Sequence, residues 1–517
     1  VPAQREFDCF TEALDRATPE TVLHAFADLV ERGAPHIVAA VPSDESAVAP
    51  DAAQLVEIAE AAPTRDIAPR TDESAIGDSL MEPPAPVDAI DRFQLSDGTF
   101  TPILDPTVVR FANGVTVAFN RTQIVEGEVF LLARSPGGLA AVADDDVPDA
   151  DALRDVVGES GVADFDPVAL DAFLDDKQVS LTPFVDQFEE GLFGSSATSD
   201  LETYFQLIHL SLTEPRVDPV ALDRYLDDEL PRAEDPSIDA DYAELKTRLE
   251  ARFDEPRFLL PTPETLGTVD AEGILRVAVD RFGDAGDWTF SFSGDVDIER
   301  GIELAATYLG TLPSTGRVET ASYAEPPPPD GVVRADAEAG EGAQANVSFL
   351  FTSGASSSRI DDVTARVVDE VIGNRLTDFV REELGDSYSP FGSVTLGSGA
   401  TPKAEIYISV STGPELVDDV SEAVLGQLAD LRANGPSQRE FDNAVATIAE
   451  ELNFVNNNQI NDETLDVLVD PAGSEDFDLF VFEFELIEQV SLADVTAALN
   501  EWTSDDQYIE VRVLPRS

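Results

Sequence analysis

The stretch SFSGDVDIERGIELAATYLGTLPS, Ser291 to Ser314, decides how the fold is read. Trp288 to Ser293 has the composition of a strand, and Gly294-Asp295 breaks it. Apolar positions then recur at helical spacing as far as a Leu-Pro stop. A strand feeding an amphipathic helix is the recurring unit of this chain. Upstream, TVVRFANGVTVAFNRT (Thr107–Thr122) alternates around Asn113-Gly114, the strongest short hairpin signal. The strand EVFLLARSPGG (Glu128–Gly138) follows, and helical segments are expected from Asp149 to about Arg252. Downstream, QANVSFLFTS and AEIYISVST read as strands on either side of a helix expected from Ile360 to Leu384. A helix ending at Asn434-Gly435 comes next, and Ser437 with Glu440 forms a capping box for its successor. Strands interleaved with long helices give an α+β class: repeated two-layer domains with helices packed on mostly antiparallel or mixed sheets.

The 517 residues, 43% hydrophobic, suffice for about three domains. The formal charge is -71, from 103 acids against 32 bases, and only Lys177, Lys246 and Lys403 are lysines. Such a balance repels nucleic acid and anionic membrane, so neither is expected as a partner. The acids are spread over every segment, and apolar periodicity persists throughout. That pattern fits a folded protein adapted to high salt better than a disordered one. Cys9 is the sole cysteine, so no internal disulfide can form. No run of 18 apolar residues suggests direct membrane insertion. The chain opens Val-Pro-Ala, which reads as part of a longer protein whose front is missing.

Thr18 to Ser43 reads as a capped helix followed by an apolar strand, and it aligns without a gap on the segment from Ser491. Thr18 meets Ser491, Val22 meets Val495, Phe26 meets Leu499 and Pro42 meets Pro515. Two helix–strand units ending alike point to duplicated domains. The expected division is a tail of a preceding domain at 1–46, an Ala/Pro/Asp/Glu-rich connector at 47–104, one domain at 105–270 and another at 271–517.

The residues alone give no catalytic centre. His24, His36 and His209 have no second histidine or cysteine at ligand spacing, and no H-x-x-E-H, H-E-x-x-H, G-x-S-x-G or Walker loop occurs. Within NRLTDFVREELGDSYSP, Arg381 and Tyr388 sit on either side of Leu384-Gly385. They read either as a helix-end arginine and a strand tyrosine, or as a fixed cation with a phenol donor suited to a peptide carbonyl.

Several stretches together resemble the pitrilysin/insulinase family of zinc peptidases, the group with the inverted H-x-x-E-H motif. FANGVTVAFNRT resembles that family's domain-opening hairpin, and FLLARSPGGLAAV the strand and turn after it. SFSGDVDIERGIELAATYLGTLPS resembles its GD…YLG-x-LP signature, and NRLTDFVREELGDSYSP its LR-E-x-x-G-x-x-Y-S stretch. The resemblance implies four α+β domains in two halves that close on a peptide, with zinc and its general base in the first half. The inverted motif's place here would fall near DADALRDVVGESG, which has no histidine. The chain would then be the C-terminal, zinc-free half, with peptide and the N-terminal half of the same polypeptide as partners. Arg381 and Tyr388 match the pair that reaches the substrate backbone at the scissile bond. The resemblance favours a periplasmic or cell-envelope setting, with a cytoplasmic one open. The alternative is a pseudopeptidase serving as a peptide-binding or scaffold subunit.

Screening should govern stability in so acidic a chain, since the Debye length shortens from about 10 Å at 0.1 M salt to about 3 Å at 1 M. Thermal melts followed by circular dichroism should give a Tm that climbs steeply as KCl is raised toward molar. A Tm indifferent to salt would contradict the high-salt reading.

Overall fold

The computed structural model describes residues 3–14, 16–31, 36–39, 50–62, 77, 79–94, 106–122, 126–319, 325–342, 344–355, 358–379, 390–397, 402–458 and 486–516. They fall into two compact units, 1–75 and 76–517.

The first unit contains helices Ala3–Leu14, Pro19–Glu31 and Ala52–Ala61. The expected cap is present: the Thr21 N–H donates to Thr18 Oγ1 at 3.2 Å, and the Thr18 N–H donates to Thr21 Oγ1 at 2.8 Å. Residues 36–39, expected to begin a strand, carry none. Along the second helix Val22, Phe26 and Leu29 are 59%, 64% and 71% exposed.

The second unit holds two sheets. The first runs β1 (Asp91–Gln94), β2 (Thr107–Arg110), β3 (Thr116–Arg121), β4 (Glu128–Pro136), β5 (Val179–Val185), β6 (Glu189–Ala197) and β7 (Thr289–Gly294). The second has β8 (Val332–Glu338), β9 (Ala345–Gly354), β10 (Phe391–Gly397), β11 (Lys403–Thr412) and β12 (Tyr508–Leu514). Their spatial orders are β1-β2-β3-β7-β4-β6-β5 and β10-β11-β9-β12-β8. All neighbours are antiparallel except β3 with β7 and β8 with β12.

Leaving aside β1 and β2, the sheets match strand for strand. β3-β7-β4-β6-β5 has the same order and directions as β8-β12-β9-β11-β10. In each, two strands precede a helix, two more follow, and a helical series leads to a last strand inserted beside the first. The fold is thus a repeated α+β layer, as the alternation of strand and helix patterns implies.

Local chemistry accounts for the main elements. Gly114 takes φ +105° at the β2–β3 turn, as an Asn-Gly hairpin requires. Along β11 side chains alternate in burial, with Ile406, Ile408 and Val410 inside. The first sheet's helical face is filled by Phe119, Phe205 and Phe292, whose rings stack at 5.4 and 4.7 Å. Ser437 and Glu440 bond reciprocally as a capping box.

Three expectations change. β1 lies inside the stretch read as a connector and forms the first sheet's edge. The run from Asp149 to Arg252, read as helical, contains the β5–β6 hairpin. Pro183 is tolerated there because β5 is an edge strand. The sheets also do not divide at 270/271, because helix Ala271–Phe282 and β7 complete the first sheet and the second repeat opens at Val332. A strand–helix pattern looks the same whether it opens or closes a domain; only its distant pairing partner distinguishes the two.

The repeats share one element. Helix Ala240–Arg252, from the first repeat's helical series, lies on β8 and β12. Ala243 packs there with Leu350, Ile509, Val511 and Val513. Ser348 Oγ donates to the buried Glu244 at 2.6 Å, and the Arg248 guanidinium lies 4.7 Å from the Tyr407 ring centre. Arg252, 5% exposed, donates to Glu325 at 2.5 Å and to the Pro326 carbonyl at 3.0 Å. Lys403 holds the other Glu325 oxygen at 2.5 Å. Arg252→Ala should lower stability by about 3 kcal/mol in urea unfolding, since it breaks a buried pair while Lys403 still neutralises Glu325. Arg252→Lys should recover only part of the loss, because an ammonium cannot reproduce the planar fork.

Candidate functional site

Arg381 and Tyr388 lie outside the described residues, within 380–389. Both flanks of that stretch are described. Helix Arg359–Phe379 leads into it and β10, an edge strand paired with β11, leads out. The helix is pinned near its end by Arg375, which donates to Asp430 at 2.9 Å and to Glu440 at 2.9 Å. Burial pushes the Glu440 carboxyl up, but hydrogen bonds from Arg375 and Ser437 outweigh it and hold the group at about 2. The element that delivers residues 380–389 is therefore fixed to helices Val417–Asn434 and Gln438–Asn458 by charge-assisted bonds.

The corresponding helix of the first repeat is Val147–Gly158, where the sequence places the counterpart of an inverted zinc motif. Its two buried-side carboxylates have separate surroundings. The Asp149 carboxylate accepts from the Asp270 N–H at 3.1 Å and pairs with Arg276 at 3.6 Å. A Cβ on Gly273 would stand 2.0 Å from it, so this helix crossing needs glycine opposite the acid. Asp151 faces a cavity and has no hydrogen-bond or ion-pair partner among the described residues. No group of three or more His, Cys, Asp or Glu gathers among the described residues, so zinc has no fitting donor set on them. His209, read as a core or boundary residue, has Nδ1 2.6 Å from the Tyr308 carbonyl oxygen, so that nitrogen carries the hydrogen. Burial lowers its pKa.

The cavity lies at the joint of the repeats and measures about 690 Å³. Helix Val147–Gly158 contributes Asp151 and Asp155, and helix Pro219–Glu234 contributes Tyr225 and Glu229. Helix Ala240–Arg252 adds Arg248 and Arg252, while β11 adds Lys403 and Glu405. A second cavity of about 570 Å³ shares Asp151, Arg257 and Leu259–Pro261 with it. Four of the chain's 32 bases line the larger cavity, each already paired: Arg248 with Glu244, Arg252 with Glu325, Arg257 with Asp144, and Lys403 with Glu325 and Glu405. Nothing there combines a nucleophile with a base. The arrangement can bind a polar ligand or hold the repeats at a set angle. Sequence reasoning missed this site, although the scarcity of bases was a usable signal: one of only three lysines, Lys403, stands in it.

Residues 278–448 match the family model described as the peptidase M16 inactive domain. The chain is 20% identical over 361 residues to the probable zinc protease PqqL of Haemophilus influenzae, covering 66% of this chain and 38% of that protein. To the zinc protease PQQL-like of Arabidopsis thaliana it is 22% identical over 409 residues, covering 72% and 38%. The crystal structure of the periplasmic protease PqqL from Escherichia coli superposes with a TM-score of 0.71 at 16% identity, over 90% of this chain and 51% of that one. The chain thus spans under two fifths of the curated relatives' length.

Burial raises the Asp151 carboxyl to about 7. The folded state therefore holds a proton that the unfolded chain releases near pH 4, and stability drains away as pH rises from about 4 to 7. Asp151→Asn should remove that slope and raise stability at pH 8 by about 1–2 kcal/mol, after allowance for water in the cavity. Urea titrations at pH 5 and pH 8 measure both effects, and equal slopes in parent and variant would contradict them.

Proposed function

Because this chain belongs to the pitrilysin/insulinase (M16) family of peptidases, we propose that it is the C-terminal, substrate-enclosing half of a zinc-dependent endopeptidase or oligopeptidase acting on unfolded peptides. The match of residues 278–448 to an inactive-domain model, on a fold built from two like repeats, carries this reading. Zinc and its ligands would come from an N-terminal half of the same polypeptide.

The segment 1–46 supports that pairing as the tail of a preceding domain. Its apolar positions Val22, Phe26 and Leu29 align with Val495, Leu499 and Trp502 of helix Leu492–Trp502, which are buried beneath the second sheet. The first-unit helix would find the same cover in a domain of like fold. The exported setting of PqqL from Escherichia coli supports a periplasmic or cell-envelope location for this protein as well.

Arg381 would hold the substrate backbone, and the Tyr388 phenol would donate to the carbonyl oxygen as it gains charge. In the complete peptidase, Tyr388→Phe should lower kcat by about ten- to a thousandfold with KM little changed, as for the loss of one oxyanion donor. Peptide hydrolysis at the parental rate would remove Tyr388 from the site. A complete protein that binds peptide without cleaving it would instead establish the pseudopeptidase role.

A further inference from the structure

The two described sheets end in four edge strands, and an open edge invites pairing unless something guards it. Three are guarded. β1 is four residues long and carries Asp91 and Arg92, β5 contains Pro183, and β8 alternates Arg334, Asp336 and Glu338. β10 reads FGSVTLG and has neither a charge nor a proline, in a chain where 26% of residues are charged. Its seven residues are half-buried or exposed, with Phe391 60% exposed. Among the described residues β11 is its one strand neighbour, so its other side presents unpaired backbone. Val394 and Leu396 pack against the second core, which fixes the face that β10 turns outward. An unguarded row of backbone donors and acceptors on so acidic a protein marks a place where another strand docks.

The order of residues says which strand. Turned end for end about Val394, FGSVTLG sets each bulky side chain against a glycine, Phe391 against Gly397 and Leu396 against Gly392. Ser393 then faces Thr395, and Val394 faces its own copy. Aromatic cover of edge glycines and hydroxyl pairs both favour cross-strand contact, and a two-fold interface needs such self-complementarity. We propose that β10 pairs antiparallel with β10 of a second copy of this chain, centred on Val394, and joins the two five-stranded sheets into one. Charge sets the condition. Each copy carries -71, so the copies repel at long range, while the strand interface has no charge of its own to be screened. Association should therefore strengthen as salt rises, the reverse of an interface held by ion pairs. The pairing does not rest on the peptidase reading, since it requires only the second sheet.

Sedimentation equilibrium on the 517-residue chain tests it. In about 1 M KCl a species of twice the chain's mass is expected at tens of micromolar, with Kd about tenfold weaker or more at about 0.1 M. Two double variants test the register, because pairing about Val394 sets position 393 directly against position 395. Ser393→Lys with Thr395→Lys puts like charges face to face twice and should weaken the dimer about tenfold or more. Ser393→Lys with Thr395→Glu puts opposite charges there and should recover most of that loss in the same salt. Circular dichroism checks that both variants fold. A chain monomeric up to about 0.1 mM in molar salt would overturn the proposal and leave the β10 edge to a strand of another polypeptide. So would a dimer equally stable in both double variants, or one that added salt dissociates.

Discussion

Each sheet is completed by its last strand. β7 reaches the first sheet 168 residues after β3 ends and takes a central place between β3 and β4; β12 does the same between β8 and β9. A central strand that arrives last imposes order on everything before it. The helices between must cross one face of the sheet and return the chain to its opening edge. Until the strand arrives, two neighbours expose unpaired backbone and the helical layer has no floor. This topology has high contact order, which slows folding and prolongs exposure of strand edges.

What was legible in the sequence follows the same division. Local signals were read correctly where local physics decides: the Asn113-Gly114 hairpin, the Ser437–Glu440 capping box and the alternation along β11. Pairing over distance was not legible. Trp288 to Ser293 was recognisable as strand-like, but its parallel partner Thr116–Arg121 lies far back in the chain, and nothing local marks it as an ending. β8 was missed altogether, because its exposed, acid-rich alternation resembles a surface loop until β12 lies beside it. Arg381 and Tyr388 stood out only through a family resemblance, whereas the joint cavity is assembled from helices, strands and loops of both repeats and could not be read from spacing.

Charge tells a complementary story. A chain with 103 acids and 32 bases cannot spend cations freely, and many of its arginines are engaged where the fold needs them. Arg281, 2% exposed, is held by Asp280 and Glu319 beside the fully buried Glu190. Glu510, also fully buried, accepts from Arg334, Ser421 and Arg512; burial alone would raise its pKa, yet these bonds keep it lowered. Arg252 belongs to this class and welds one repeat's helix to the other's sheet. A few bases, Arg252 and Arg281 among them, thus serve as internal fasteners, while others such as Arg92 and Arg224 pair with carboxylates at the surface.

The three lysines all sit in ion pairs: Lys177 with Asp176, Lys246 with Glu250, and Lys403 with Glu325 and Glu405. An amine-directed reagent therefore meets very few side chains on a 517-residue surface. Lys177 lies in the turn between helix Pro167–Leu174 and β5, Lys246 lies on helix Ala240–Arg252, and Lys403 stands at the seam. A label at Lys403 would report on how the repeats meet, alongside only two other lysine side chains. Conversely, amine cross-linking would say little about this protein's neighbours, and proteolytic mapping would have to rely on cleavage at arginine or at the abundant acids.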